Sequence, residues 1–352
     1  MVPANKTLIR AGLEALYFTG SHLALRQFFG GVGAILMLHH VRPAPSQAFQ
    51  PNRLLEVTPA YLEKVILSLR RADIDLVSLD EAHRRLADQV FWRRFVCFTL
   101  DDGYRDNFEH AYPIFKRHAV PFCIYLPTSF PDRLGELWWL ALEAVIARND
   151  RLSLEMDGQD RHFDCHTTAT KRDVFERVYW WLRGLATEEE LRRVVQELCG
   201  RYRIELTSFC TDLCMTWDEL GTLARDPLVT IGAHTVNHVR LTKVPEEVAR
   251  KEMRLGVSVT EAALGLRPRH FAYPVGDATS AGPREFRLAE ELGFATAVTT
   301  RPGVLYPEHR HRLMALPRIP LNGEFQRLRY LRVLLSGAPT AIHQRFRPRE
   351  AA

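Results

Sequence analysis

The sequence predicts an α/β fold in which parallel strands close into a (β/α) barrel. Three observations lead there. Short apolar runs alternate with stretches of helical period, the pattern of a parallel sheet covered by helices on its outer face. Seven or eight such units recur, enough to close a barrel. The side chains best suited to chemistry fall at the C-terminal ends of those runs, where barrels carry their sites. The 352 residues are 46% hydrophobic and 25% charged, which excludes a disordered tail protein, a collagen-like fibre and a disulfide miniprotein.

Residues 1–33 form an N-terminal amphipathic helical segment. TLIRAGLEALYF sets Leu8, Ile9, Leu13, Leu16 and Tyr17 on one helical face. Arg10, Glu14 and Arg26 interrupt the apolar character, and FFGGVGAILML has about half of the ~20 residues a spanning helix needs. Glu14 sits where a secretory signal would need an unbroken apolar region. The segment reads as a helix packed on the core or, alternatively, as one lying on a membrane surface. A cytoplasmic enzyme is the expectation, with peripheral membrane contact through this helix as the alternative.

The barrel occupies residues 34–325. AILMLH (34–39) reads as a buried strand. TPAYLEKVILSLRRA (58–72) opens with a Thr cap and a Pro at the first helical position, and Leu62, Val65, Ile66 and Leu69 recur at helical spacing. Further strands are expected at 74–79, 95–100, 121–126, 228–233, 270–273, 294–299 and 315–320. Helices are expected at 107–118, 217–225, 245–264 and 284–292. Residues 130–215 break the alternation and read as a helical insertion after the fourth strand. It holds WWLALEAVIA, a polar strand-like piece and one long charged helix near 171–203. Residues 326–352 read as a C-terminal helix and basic tail.

Net charge is +5, and only six of the 47 basic residues are Lys. No basic stripe is dense enough to argue a nucleic-acid partner. Six cysteines lack paired CxxC spacing and read as reduced thiols.

Four features carry chemistry. Strand 95–100 runs into Asp101-Asp102-Gly103; adjacent carboxylates both stay ionised only if something positive compensates at least one, and a divalent metal would do so. The competing reading is a plain turn. Strand 228–233 runs into His234-Thr235-Val236-Asn237-His238, two imidazoles at metal-ligand spacing, without the Glu of a metalloprotease. Arg269-His270-Phe271-Ala272-Tyr273-Pro274-Val275-Gly276 joins a strand to a fixed turn, with an Arg able to hold a carboxylate. His39-His40 ends the first strand, and one of the two should face the barrel mouth. Each has a bland structural reading alone; a barrel would bring all four together.

The ordered set TLDDG, HTVNH and RHFAYPVG resembles the polysaccharide deacetylase family, carbohydrate esterase family four, with its NodB homology domain. The resemblance covers about residues 34–321 without the insertion. It implies a distorted (β/α) barrel with fewer than eight complete units. Asp101 would be the catalytic base and Arg269 its tether. Asp102, His234 and His238 would hold a divalent metal, usually Zn2+, with Co2+, Ni2+ or Mn2+ as alternatives. The Leu-x-His segment that supplies the family's general acid is missing; MALPRIPLNG stands there. LMLHHVRP instead is similar to the Tyr-His-x-Val-like segment of the biofilm poly-N-acetylglucosamine deacetylases, which makes His39 the acid, with His40 as the other choice of register. Thr299-Thr300-Arg301-Pro302-Gly303 replaces the family's Asp-x-Asp-Trp segment. Tyr104, Tyr273, Pro274 and Gly276 are expected to contact substrate; Trp138 and Trp139 fit a buried helix better than a sugar platform.

The activity implied is metal-dependent removal of N-acetyl groups from amino sugars of an oligo- or polysaccharide, such as an exopolysaccharide, a chitooligosaccharide or a lipid-linked precursor. Two rivals stand beside it: an O-acetyl polysaccharide esterase, and a catalytically inactive saccharide-binding barrel.

Overall fold

The computed structural model describes residues 6–346. Seven parallel strands form the barrel: β1 (Gly33–Leu38), β2 (Phe95–Asp101), β3 (Phe122–Leu126), β4 (Val229–Ala233), β5 (His270–Ala272), β6 (Thr296–Pro302) and β7 (Leu316–Pro320). They follow one another around the ring in chain order, and β1 closes it by pairing with both β2 and β7. Every residue of β1, β2 and β3 is buried. That is why these strands read as continuous apolar runs without alternation.

The ring is uneven. β1 and β2 pair along their length, from Gly33 opposite Phe95 to Leu38 opposite Leu100. β7 touches β1 only at Leu36–Ile319 and Met37–Pro320, and the β6–β7 register shifts between Val298 and Pro302. The strand expected at 74–79 shrinks to Asp75–Leu76, which pairs with Phe95 and Val96. Because β1 already occupies the other edge of β2, this remnant cannot enter the ring. The chain therefore has two helices, Pro59–Arg71 and Leu79–Asp88, between β1 and β2. The first starts as its sequence predicts: the Thr58 hydroxyl accepts the Tyr61 N–H and Pro59 opens the helix.

The insertion has its own apolar core, built from Trp138, Trp139, Leu142, Val178, Leu191, Val195 and Leu198 among others. Its elements are a helix (Trp138–Arg148), an antiparallel hairpin (Arg151–Met156 with Gln159–Asp164), two long helices (Thr168–Gly184 and Glu188–Tyr202) and a short one (Ser208–Leu213). The single helix expected near 171–203 is thus two. Gly184 ends the first, and the Thr187 hydroxyl caps the second by accepting the Glu190 N–H, a stop and a start that apolar periodicity runs through. Glu188 and Arg240, both buried, join the insertion to the barrel with an Nε–Oε2 distance of 2.7 Å.

Two N-terminal helices, Lys6–Phe18 and Ser21–Phe29, pack with Leu328–Leu335 and Ala338–Phe346 into a side lobe. Leu13, Leu16 and Tyr17 meet Tyr330 and Val333 there, whereas Leu8 and Ile9 stand exposed. The predicted basic tail beyond 346 lies outside the described residues. Among these residues no helix is long and apolar enough to cross a membrane. All six cysteines are buried and unpaired in disulfides.

The loop after β4 is seated on the backbone of helix Glu246–Leu264. A Cβ on Gly256 would lie 2.9 Å from the Thr235 carbonyl oxygen, so only glycine lets the loop sit this close. Gly256→Ala is therefore expected to destabilise the protein by about 1–3 kcal/mol through overpacking. Gly221→Ala, in helix Trp217–Ala224, meets nothing closer than 3.9 Å and is expected to stabilise by about 0.5–1 kcal/mol. Chemical denaturation of the two variants checks the opposite signs.

Candidate active site

β2 delivers Asp101 at its C-terminal end, and the chain then turns sharply. Asp102 (φ 73°) and Gly103 (φ 65°) both occupy the left-handed region. The positive φ favours glycine at 103, and a Cβ there would in addition have to displace the end of the Leu126 side chain, 2.7 Å away. The turn sends the two neighbouring carboxylates to different partners.

Asp101 belongs to Arg318, on β7. The guanidinium grips it in a fork, Nη1 to Oδ1 and Nη2 to Oδ2, each at 2.7 Å, and Arg318 is fully buried. Arg318 is itself fixed: Nε donates to the Thr299 carbonyl at 3.0 Å and Nη1 to the Thr99 hydroxyl at 3.1 Å. Burial works to raise the Asp101 pKa, but the Arg318 charge and its hydrogen bonds prevail and bring it down to about 2.

Asp102 has no such partner. Its Oδ1 is buried and accepts no hydrogen bond. It faces His234 Nε2 at 3.7 Å and His238 Nε2 at 3.4 Å. Burial and the neighbouring Asp101 charge push its pKa up to about 8. The three ligand atoms lie within 4.8 Å of one another. A tetrahedral zinc with bonds of about 2.0–2.1 Å needs edges of roughly 3.3–3.4 Å, so the spacing suits one small cation. Burial lowers His234 to about 4 and His238 well below its usual value, so both rings are neutral, the form that ligates. His234 Nδ1 donates to the Ala272 carbonyl at 2.6 Å, which leaves the Nε2 lone pair facing Asp102. The orphaned carboxylate and the neutral imidazoles fit a divalent cation.

The His234–His238 loop is held under strain. Thr235 (φ 67°) and His238 (φ 54°) are left-handed, as is Val275 (φ 63°) in the loop after β5, conformations unfavourable to side chains of these kinds. The Glu252 carboxylate accepts the N–H groups of Val236 and Asn237 and the Asn237 amide. Arg192, from the insertion, donates to the Asn237 carbonyl at 2.7 Å. The Trp139 ring centroid lies 5.1 Å from that of His238.

His39 is the histidine that turns toward this cluster, with Nε2 3.9 Å from Asp101 Oδ2. Burial draws its pKa down to about 4 against the pull of Asp101. His40 turns away: its Nδ1 donates to Asp106 Oδ2 at 2.6 Å and its ring stacks on Tyr104 with centroids 3.6 Å apart. Asp106 Oδ1 also accepts the Val41 N–H, and the Asn107 amide donates to the His39 carbonyl at 2.7 Å. A π-helical turn at Asn107–Ala111 places Asn107 for this.

Several expected positions change. Arg269 is not the tether of Asp101. It is largely exposed and pairs with Asp80 at 2.6 Å. The reason is topological: Arg269 precedes β5, whereas Asp101 ends β2, and parallel strands put those positions at opposite ends of the barrel. Tyr273 is core, lying against Phe271 and Phe286 with its hydroxyl donating to the Met314 carbonyl. Pro274 and Gly276 are buried, and Tyr104 offers no exposed face to a sugar. Trp138 and Trp139 are buried in the insertion. Arg318 was missed although a lone Arg in the apolar, proline-flanked LPRIPL must find a charge if buried. Asp106 and Asn107, in the same run as Asp101, carry no separate sequence signal.

The polysaccharide deacetylase family profile matches residues 91–297, more than half of the chain. No curated protein matches at the level of sequence. Among solved structures, the Streptococcus pyogenes deacetylase PplD in complex with acetate superposes with a TM-score of 0.58 at 16% identity, covering 86% of this chain and 97% of its own. IcaB from Ammonifex degensii gives 0.52 at 16% identity, covering 88% and 98%. A de-N-acetylase from Aggregatibacter actinomycetemcomitans gives 0.54 at 12% identity, covering 86% and 99%. These likenesses carry the fold, a closed seven-stranded (β/α) barrel of NodB type. On the family match, the chain belongs to the polysaccharide deacetylase family and is a hydrolase of the deacetylase class.

Proposed function

We propose that this enzyme removes N-acetyl groups from amino sugars of an oligo- or polysaccharide and releases acetate, using a divalent cation held by Asp102, His234 and His238. One observation carries the reading: two adjacent buried aspartates have opposite environments, one ionised in an arginine fork and the other orphaned against two neutral imidazoles. The mixed nitrogen and oxygen donor set suits zinc, with cobalt, nickel and manganese as substitutes. The substrate class is an N-acetylglucosamine-type glycan: an exopolysaccharide, a chitooligosaccharide or a lipid-linked precursor. The de-N-acetylase name of one structural neighbour supports amide over ester substrates, and the acetate in the PplD structure is the product of either.

When bound, such a cation polarises the acetyl carbonyl and brings the pKa of water toward ~7. Asp101 then serves as base. It lies outside the three-ligand set, stays ionised, and is aimed by Arg318. A carboxylate drawn into ligation would be a weaker base, so the two roles divide between the neighbours. The amide nitrogen leaves only when protonated. His39 Nε2 is the proton donor; burial keeps the ring neutral at rest, so the proton it delivers is the one Asp101 has taken from water, passed on once the 3.9 Å between Asp101 Oδ2 and Nε2 closes to hydrogen-bond distance or is bridged by one water. Arg318 is a positioning residue: it holds the base ionised and fixed while touching no reacting atom.

Acetate release from N-acetylglucosamine oligomers, compared with O-acetylated xylan, tests the proposal; release from the ester substrate alone would overturn it. Asp101→Asn is expected to retain metal while losing turnover by about 10²–10⁴-fold, the range of a general base. His234→Ala is expected to lose metal, read by elemental analysis of the purified protein. Arg318→Met should lower kcat by about 10²-fold or more, since a base outside its productive geometry loses most of its effect; Arg269→Met should leave kcat within about twofold, as an exposed pair on the far rim contributes little. His39→Ala is expected to reduce kcat by about 10²-fold or more through loss of the acid. His40→Ala should act chiefly on stability, and equal losses of kcat would refute the assignment.

A further inference from the structure

We propose that the terminal-helix lobe docks the enzyme onto the surface of an anionic phospholipid bilayer, with helix Ser21–Phe29 lying in the interface. That helix hides little of itself: of its nine residues only His22 is buried. Leu23 is 61% and Phe28 76% exposed, and Ala24 is exposed with them. At 100° per residue, Leu23, Ala24, Gln27 and Phe28 fall within an arc of about 140° that contains no charge. Phe18, at the end of the preceding helix, is 73% exposed. Large apolar side chains exposed on one helical arc, as Leu23 and Phe28 are, mark an interaction surface.

The charge around them selects the partner. No Asp or Glu occurs between Glu14 and Glu56, nor between Glu324 and Glu350. Glu14, the lobe's one acid among the described residues, is already engaged by Arg329 and the Tyr330 hydroxyl. Arg10, Arg26 and Arg332 are exposed and form no ion pair among the described residues. Arg26 flanks the apolar arc on its own helix. Cationic side chains beside exposed Leu and Phe are what an interfacial helix requires at an anionic surface. A second copy of the same lobe would bring like charges together, and a nucleic acid would leave the aromatic and aliphatic groups without a partner.

The orientation follows from topology. Phe28 and Phe29 lie just before β1, and the Gly30 carbonyl is held by Arg94, just before β2. These positions are at the N-terminal ends of the strands, whereas Asp101 and His234 are at the C-terminal ends. A bilayer held there leaves the site mouth turned away from it.

Flotation of the full chain with phosphatidylglycerol–phosphatidylcholine vesicles, against phosphatidylcholine alone, tests the proposal. Binding is expected to the anionic vesicles and to fall as salt screens the charges. Leu23→Ser combined with Phe28→Ser should weaken it by about tenfold or more, and Arg26→Glu should also weaken it, while both variants retain wild-type acetate release. Absence of binding to anionic vesicles at low salt, binding unchanged in the Leu23→Ser/Phe28→Ser variant, or a concentration-dependent dimer abolished by those substitutions would each overturn it. Because acetate release is measured separately, failure here leaves the proposed chemistry untouched.

Discussion

Two carboxylates on consecutive residues are buried at the rim of this barrel, and everything around them serves to keep both there. Isolated charges in such a place would neutralise rather than persist. Asp101 persists because Arg318 meets it with two parallel hydrogen bonds of 2.7 Å and is itself anchored on Thr99 and Thr299. Asp102 is left with two neutral imidazoles and an oxygen that no donor reaches. The left-handed turn at Asp102 and Gly103 separates the two environments over a single peptide bond. A buried pair in which Arg318 matches one carboxylate while only neutral imidazoles face the other is costly to build, and the costs are offset in the packing around it.

Much of that packing comes from outside the barrel. The insertion reaches the His234–His238 loop through Arg192, and Glu188 meets buried Arg240 two residues beyond His238. Glu252 takes the loop's N–H groups from a barrel helix, and Gly256 lets the Thr235 carbonyl settle on that helix. The strained backbone at Thr235 and His238 is sustained by these contacts from the insertion and from that helix. The first strand is treated alike: Asp106 and Asn107 bind the His39–Val41 segment. Such an arrangement decides which of two adjacent histidines enters the site. The insertion is therefore part of the site's scaffold rather than a cover beside it.

The N- and C-terminal helices obey a different logic. They bury a modest seam of Leu13, Tyr330 and Val333 and leave Leu23 and Phe28 in solvent. Their acids are nearly absent, so beyond the pairing of Arg329 with Glu14 and Lys6 with Glu324 the lobe carries its positive charge without compensation among the described residues. Burial drives the barrel's order, whereas charge and exposed apolar area distinguish this lobe.

Residues close in sequence already determined a good deal. Apolar runs located all seven barrel strands to within a few residues, because strands buried on both faces cannot disguise themselves. Asp101-Asp102-Gly103 and His234-x-x-x-His238 offered metal-ligand residue types and spacing, each with a plain structural reading beside it until the barrel brings them together. Tertiary structure alone decided the rest. Whether Arg269 or Arg318 holds Asp101 depends on which end of a parallel strand each occupies, and a segment read in isolation does not display that. Whether His39 or His40 faces inward depends on Asp106, 66 residues from His40. Tyr104 and Tyr273 look like sugar platforms until neighbouring strands and helices cover them. Local sequence encodes periodicity and chemical type; partner choice for a buried charge belongs to long-range topology, since the partner arrives from a distant part of the chain.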